Sequence, residues 1–171
     1  MALPASGTIS INSIRVELGV PSATNLSMID LATGAVVAIN QWSASRPSTS
    51  APYLMSAWYN YNHSAAAPGV SNFSVIATTD PIYGGVYITW SYSSGTSLNV
   101  DTTYVDFSFN YGSTWTQWYN FSGTGTTSIS DSVEGQSGFS TLDTTYFRLR
   151  AYANGNQVPS SPLYAYPPFP Y

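Results

Sequence analysis

Between residues 73 and 166, apolar and polar residues alternate in short runs that turn-forming residues separate at regular intervals. Alternation with a period of two is typical of a β-strand that buries one face. Glycine, proline, asparagine and aspartate between the runs favour turns. The pattern predicts seven strands, at residues 73–78, 86–92, 104–110, 114–121, 126–132, 145–152 and 163–166.

Two of these strands define the expected core. On the second strand Val86, Ile88 and Trp90 alternate toward one face, so we expect Trp90 to be buried. The sixth strand leaves its register open, because both of its faces carry large side chains. One face holds Phe147 and Leu149, and the opposite face holds Tyr146, Arg148 and Arg150.

A motif at residues 108–115 marks the hairpin between the third and fourth strands. Its sequence, Ser-Phe-Asn-Tyr-Gly-Ser-Thr-Trp, has the form S-x-N-x-G-x-T-W. It resembles the S-x-D-x-G-x-T-W turn, or Asp-box, that joins two strands in several secreted and virion β-domains. We expect Asn110 and Gly112 to tolerate positive φ, and the Ser108 and Asn110 side chains to bind the turn backbone. Such a turn is a folding device, so the motif predicts a hairpin and not an active site.

The N-terminal third of the chain carries short helical patterns in place of strands. A first helix is predicted over residues 12–18. A second follows Ser27, which has the spacing of a capping box with Asp30, and Gly34 can end it. A third segment of similar texture covers residues 53–58. Helices this short are not stable alone in water.

The apolar surface within residues 1–63 is small, so we expect this segment to be ordered on a partner. The predicted docking residues are Ile11, Ile14, Leu18, Leu31, Val36 and Ile39. The alternative is a small helical subdomain packed on the chain's own β-domain. Residues 64–72 lack apolar periodicity and contain a Pro-Gly pair, which predicts a linker.

Composition excludes several classes of function. Charged residues make up 7% of the chain, with four arginines, no lysine and eight acids, for a net charge of −4. Nucleic-acid binding through phosphate neutralisation needs clustered cations and is not expected. The chain has no cysteine and one histidine, so we expect no metal site and no other cofactor.

The chain begins without a signal-peptide pattern and contains no apolar run long enough to span a bilayer. We therefore expect a protein made in the cytoplasm, without membrane insertion. Its charge-poor texture, rich in Ser, Thr and Tyr, is nevertheless typical of proteins displayed outside cells. A virion assembled in the host cytoplasm and released by lysis satisfies both observations.

No catalytic constellation is expected. His63 is the only histidine and is read as a linker residue, and no G-x-S-x-G elbow occurs. A glycosidase needs two carboxylates across a cleft, but the acids after residue 72 lie in predicted turns or strand ends, Asp106 excepted. We expect a protein that is not an enzyme.

Aromatic residues are the remaining candidates for binding. Period-two alternation places Trp115 and Tyr119 on one strand face and Trp118 on the other. One set belongs to the core, and the other contacts a glycan or a protein partner, since Tyr and Trp are enriched at interfaces. The proline-rich tail at residues 167–171 favours an extended form that docks on a neighbour or frays.

Residues 73–166 resemble a fibronectin type III or related immunoglobulin-like module. The resemblance rests on Ile88-Thr89-Trp90, on the run from Thr145 to Ala151, which corresponds to that family's Tyr-x-x-Arg-x-x-Ala strand, and on Gly155 and Ser160-Ser161-Pro162. It departs from the family at Ser97–Thr103 and at the Asp-box-like turn. The resemblance implies a mainly β fold, with a seven-strand immunoglobulin-like sandwich after an irregular N-terminal segment with short helices.

The N-terminal segment is similar to one found in tailed-bacteriophage virion proteins. The matching stretches are residues 3–11, 16–19, 26–32, 46–48 and 55–59. The resemblance implies a non-enzymatic structural component of head, collar or tail. Such a component docks on other virion proteins through residues 1–63, as a homo-oligomer, and displays the β-domain. The alternative is a carbohydrate-binding module that uses exposed Trp and Tyr to adhere to a host surface glycan.

Overall fold

The structure, a computed structural model, describes residues 2–22, 24–77, 85–132 and 145–167. These residues are mainly β, with eight strands, two α-helices and one 3-10 helix among them. The chain forms two compact units: Met1–Ala67 with Gly95–Leu98, and Pro68–Ser94 with Asn99–Tyr171. In the part of the chain that is described, no helix has the length and apolar character to cross a membrane.

The first unit contains both predicted α-helices. Helix α1 spans Ile11–Glu17, and helix α2 spans Met28–Thr33. The predicted capping box of α2 is confirmed: the Asp30 N–H donates to the Ser27 hydroxyl at 3.1 Å, and the Ser27 N–H donates to the Asp30 carboxylate at 3.2 Å. Gly34 ends the helix with φ of 75°, a left-handed angle that glycine adopts without strain.

A core of its own orders the first unit. The third predicted segment forms a 3-10 helix over Met55–Trp58, and the Trp58 ring packs edge-on against Tyr61 with centroids 5.2 Å apart. The buried residues of this core are Leu3, Ile14, Leu18, Val20, Leu31, Ala32, Trp58 and Tyr61. The expectation that only a partner orders this segment is therefore wrong, because its few apolar side chains converge on one cluster.

The segment predicted as a linker is shorter than expected. The Asn40 side-chain amide donates to the backbone carbonyls of His63 and Ala65 at 2.7 and 2.9 Å, which fixes the start of this segment. Its end belongs to a strand, since the first strand starts at Gly69 and not at residue 73.

The second unit contains all seven predicted strands, with ends displaced by up to a few residues. A further two-residue strand, β7, was not predicted. The strands are β1 Gly69–Ala77, β2 Gly85–Ser93, β3 Thr102–Ser108, β4 Thr116–Ser122, β5 Ser128–Ser132, β6 Tyr146–Ala153, β7 Asn156–Gln157 and β8 Leu163–Ala165.

These strands form two antiparallel sheets. The first has the order β1-β2-β5, and the second has the order β4-β3-β6-β7, with β8 also paired to β6. The expected burial of Trp90 is confirmed, since its side chain is 3% exposed. On β6 the register that the sequence left open is resolved, because Phe147 and Leu149 are fully buried while Arg148 and Arg150 lie on the opposite face.

Candidate functional site

The hairpin between β3 and β4 is the first feature that shapes the candidate site. The Gly112 N–H donates to the Ser108 hydroxyl at 2.9 Å, and the Thr114 N–H donates to the Asn110 side-chain oxygen at 2.9 Å. The Asn110 amide also donates to the Thr114 hydroxyl at 2.8 Å. The predicted role of the Ser and Asn side chains is thus confirmed.

The backbone of this turn differs from the expectation at one position. The positive φ angles are 57° at Tyr111 and 81° at Gly112, and Asn110 has none. The Asn110 side chain folds over the turn and binds Thr114. The left-handed backbone angles lie at the two residues that follow it. The Tyr111 ring then stands at the tip of the turn, 67% exposed.

A β-bulge in β4 changes which aromatic rings face outward. Val105 pairs with Tyr119 and Asp106 pairs with Gln117, so Trp118 has no opposite residue on β3. A bulge adds a residue to one strand and redirects the side chains around it. The period-two expectation that Trp118 opposes Trp115 and Tyr119 therefore fails at this position.

The Trp118 ring turns toward buried residues, and Tyr119 lies on the face of β4 that pairs with buried Val105. Trp118 meets Phe107 edge-on with centroids 6.1 Å apart and lies 6.0 Å from Phe147. Tyr119 stacks on Phe121 at 5.5 Å, and its hydroxyl donates to the carboxylate of Asp131. Of the three predicted contact residues, Trp115 alone lies on the outer face.

That outer face of the second sheet carries the most distinctive side-chain cluster among the described residues. Along β3 and β6 its members alternate with the buried residues, as a strand requires. We call it the arginine–aromatic face, and it comprises Tyr104, Asp106, Trp115, Arg148, Arg150, Tyr152 and Tyr164.

Asp106 is the centre of the face, with a side chain only 1% exposed. Its Oδ2 accepts from Arg148 Nε at 2.8 Å, Arg148 Nη2 at 2.6 Å and Arg150 Nε at 2.7 Å. Its Oδ1 accepts from Arg150 Nη2 at 2.9 Å. These hydrogen bonds to Asp106 raise the pKa of the Arg150 guanidinium above its ordinary value.

Each of the two guanidinium groups lies over an aromatic ring. The Arg148 guanidinium carbon lies 4.4 Å from the Trp115 ring centroid, and that of Arg150 lies 4.8 Å from the Tyr104 ring centroid. Such cation–π contacts are favourable and orient the planar guanidinium. The arginines therefore have defined positions on the sheet.

The row of rings continues at both ends of the face. Tyr164 lies 5.8 Å from Trp115, and Tyr152 meets Tyr104 edge-on at 5.6 Å. Beside the row, the ring of Tyr146 contacts Tyr111 and the ring of Tyr166. Tyr164 and Tyr166 are 60% and 45% exposed, so solvent reaches much of this surface.

Sequence reasoning missed the central charged residues of this face, although a signal existed. In a chain with twelve charged residues, four cations and eight acids, Asp106 stands between two apolar residues in the middle of a strand. Arg148 and Arg150 share one face of another strand. Charges in such positions indicate pairing, but the sequence does not show which strands are neighbours.

The six predicted docking residues occupy different places in the first unit. Ile14, Leu18 and Leu31 are buried in its core and are not available to a partner. Ile39 is partly buried against the same core. Ile11 and Val36 are each 38% exposed. The prediction is therefore wrong for the three core residues, because they hold the unit together.

His63 is part of the folded first unit and not of a linker. Its backbone N–H donates to the Glu17 carboxylate at 2.7 Å, and its Nδ1 lies 2.9 Å from the Tyr61 hydroxyl. Burial raises the pKa of Tyr61. Within the described ranges, no three His, Cys, Asp or Glu residues group in a way that could hold a metal ion. Asp80, Glu134, Asp143 and the tail beyond residue 167 lie outside those ranges.

Comparison with known proteins adds no family. No protein-family model matches the chain, and no curated protein matches its sequence.

Proposed function

We propose that the chain is a non-enzymatic structural protein of a virion, and that its second unit is an immunoglobulin-like domain displayed at the particle surface. The observation that carries the immunoglobulin-like part of this proposal is the strand order, β1-β2-β5 in one sheet and β4-β3-β6 with β7 and β8 in the other. Immunoglobulin-like domains divide their strands in a similar way, and variable-type domains place the strand after the third beside it in the second sheet, as β4 lies beside β3.

The attachment role belongs to the first unit. Its sequence carries the resemblance to phage virion proteins, and its three most exposed large apolar side chains are Val16 at 62%, Leu54 at 55% and Ile29 at 54%. Exposed apolar side chains often form protein–protein contacts. Attachment becomes stronger when several identical copies bind together, without any new kind of contact. We therefore propose that the chain forms a homo-oligomer that binds other virion proteins.

Particles purified from the lysed host test this function. We expect mass spectrometry of the particles to detect the chain, and a Val16→Asp/Leu54→Asp variant to be lost from them. Ile76→Asp is the matched control, because Ile76 is 52% exposed on the edge strand β1 of the second unit and edge strands tolerate charge. Circular dichroism checks that each variant folds. Particles that never contain the chain would contradict the proposal.

One observation favours a second candidate function, adhesion to a glycan. The arginine–aromatic face presents tyrosine and tryptophan rings beside hydrogen-bonding groups, which combines apolar bodies with polar tips. The full chain should then bind members of a glycan array, and Tyr164→Ser should weaken this binding while the fold is retained. An array without any bound glycan would exclude this candidate.

A further inference from the structure

The charges of the arginine–aromatic face define the ligand more closely than its rings do. We propose that this face binds saccharides that carry a carboxylate, with Arg148 and Arg150 receiving the acid group and the neighbouring rings packing on the sugar. The proposal rests on the glycan-adhesion function described above and specifies its ligand class.

The balance of charge on the face favours an anionic ligand. Arg148 and Arg150 bring two positive charges to the face, and Asp106 brings one negative charge. One positive charge therefore remains without a counterion within the cluster. These arginines are also the only cations in the sequence of the second unit, which otherwise carries acids. The positive charge of the second unit is thus concentrated at one place.

The carboxylate of the cluster is more deeply buried than its two guanidinium groups. The Asp106 side chain is 1% exposed, whereas the Arg148 and Arg150 side chains are 20% and 23% exposed. The carboxylate lies beneath the two guanidinium groups and is occupied by their N–H donors. A ligand that approaches from solvent therefore contacts cations first, and a ligand carboxylate is attracted.

Both guanidinium groups are held in position before a ligand binds. Arg148 is held by Asp106 and by the Trp115 ring at 4.4 Å, and Arg150 is held by Asp106 and by the Tyr104 ring at 4.8 Å. A long side chain usually loses conformational entropy when it binds a ligand. Here the folded chain has already restricted both guanidinium groups, which lowers that cost for a planar carboxylate.

The exposed side chains favour a saccharide over an apolar peptide. Among the described residues, the large exposed side chains on this face and beside it are the tyrosines Tyr164, Tyr111 and Tyr166. Aromatic faces accept the C–H face of a pyranose, while tyrosine hydroxyls can hydrogen-bond its hydroxyl groups. An amphipathic helix needs an apolar groove instead.

Isothermal titration of the full chain with matched sugars tests the proposal. The probes are oligogalacturonate and its methyl ester, then sialyllactose and lactose. We expect the carboxylated member of at least one pair to bind about 10-fold or more tightly than its neutral partner, since a charge-assisted bidentate contact is lost without the acid. Added salt should weaken the binding of the acidic sugar more than the binding of the neutral sugar.

Variants locate the effect. Arg148→Gln should remove the preference for the acidic sugar. Tyr164→Ser should weaken the binding of the acidic and the neutral sugar alike. Arg46→Gln is the matched control, because it removes the same charge from the first unit and should leave the preference intact. The comparison of acid with ester uses the unaltered protein, so it decides the question even where a variant fails to fold.

The possible results distinguish acid-specific binding from glycan adhesion in general. Equal binding of the acidic and the neutral sugar in both pairs overturns the acid-specific proposal and leaves glycan adhesion standing. No binding to any sugar overturns both. A preference that Arg46→Gln removes as fully as Arg148→Gln also overturns the proposal, because net charge and not this face would then decide. Tighter binding of an acidic peptide than of every acidic sugar counts equally against it.

Discussion

At the scale of single residues, Asp106 is a buried carboxylate that forms ion pairs with two arginines. A carboxylate withdrawn from water is costly unless it is hydrogen-bonded and paired. Asp106 receives four N–H donors from Arg148 and Arg150, and each arginine is stacked on a ring. The three charges therefore depend on one another.

Replacing Asp106 with asparagine tests this dependence. Asp106→Asn keeps the shape but leaves two adjacent guanidinium groups without a counterion, so we expect the free energy of unfolding to fall by about 2–3 kcal/mol, less than for a fully buried pair because both arginines are partly solvated. Urea unfolding followed by tryptophan fluorescence measures the change.

Asp101→Asn is the matched control for this variant. Asp101 is exposed, and its carboxylate accepts the backbone N–H of Asn154, a role that an amide oxygen can keep. We expect a loss of about 1 kcal/mol or less. Equal losses in the two variants would show that buried charge is not the cause of the first effect.

Tyr119 provides a prediction about pH. Its hydrogen bond to Asp131 is the main cause that raises the pKa of Tyr119 to about 12, from 10.0. Between these values the unfolded chain releases the proton while the folded chain keeps it. The stabilisation is therefore complete below pH 10 and is lost as the pH rises through about 12.

The variant Tyr119→Phe should reduce this alkaline loss. Urea midpoints measured as the pH rises from 10 toward 12 should fall less steeply in the variant than in the unaltered chain. Asp131→Asn removes the carboxylate that causes the shift and should act in the same direction. Identical slopes for the unaltered chain and Tyr119→Phe would contradict the assignment.

At the scale of elements, the hairpin between β3 and β4 is stabilised by side chains that replace backbone hydrogen bonds. Asn110 accepts from the Thr114 N–H and donates to the Thr114 hydroxyl, and Ser108 accepts from the Gly112 N–H. This turn also sets the position of Trp115 in the arginine–aromatic face and of Tyr111 beside it. Its geometry is thus relevant to binding as well as to folding.

Two substitutions at Asn110 separate the hydrogen bonds that its side chain makes from the need for an amide group. Asn110→Ala loses both contacts with Thr114 and should reduce the free energy of unfolding by about 1–2 kcal/mol. Asn110→Asp keeps an acceptor for the Thr114 N–H, and the Thr114 hydroxyl can donate to the second oxygen, so its stability should remain within about 0.5 kcal/mol of the unaltered chain. Thermal melting compares the two, and equal losses would show that the amide itself is required.

At the scale of the whole molecule, each unit has its own buried core. Leu31 is 1% exposed in the first unit, and Leu149 is fully buried in the second. Because a core substitution acts on the residues that pack around it, its effect should remain within its own unit.

Hydrogen exchange read by mass spectrometry checks this separation. Leu31→Ala should destabilise the first unit by about 2–5 kcal/mol and increase exchange in α1, while exchange in β6 stays unchanged. Leu149→Ala is the matched counterpart and should show the reverse. Faster exchange in both elements of either variant would show that the two units unfold together.

Local signals explain most of what could be predicted. The strands, the capping of α2 and the Asp-box-like turn each depend on residues within a few positions of one another, so their sequence spacing is sufficient. The position of Trp118 was not predictable in this way, because a bulge depends on how β4 pairs with β3. Long-range pairing cannot be read from the alternation of a single strand.

The sequence by itself determined where the strands and short helices form, that charge is scarce, and that Trp90 is buried. Only the tertiary structure decided that Ile14, Leu18 and Leu31 form a core, that Trp118 turns inward, and that Asp106 meets both arginines. The physical reason is the same in each case. Periodicity and capping act between neighbours in the chain, whereas core formation and ion pairing act between residues that the fold brings together from distant positions.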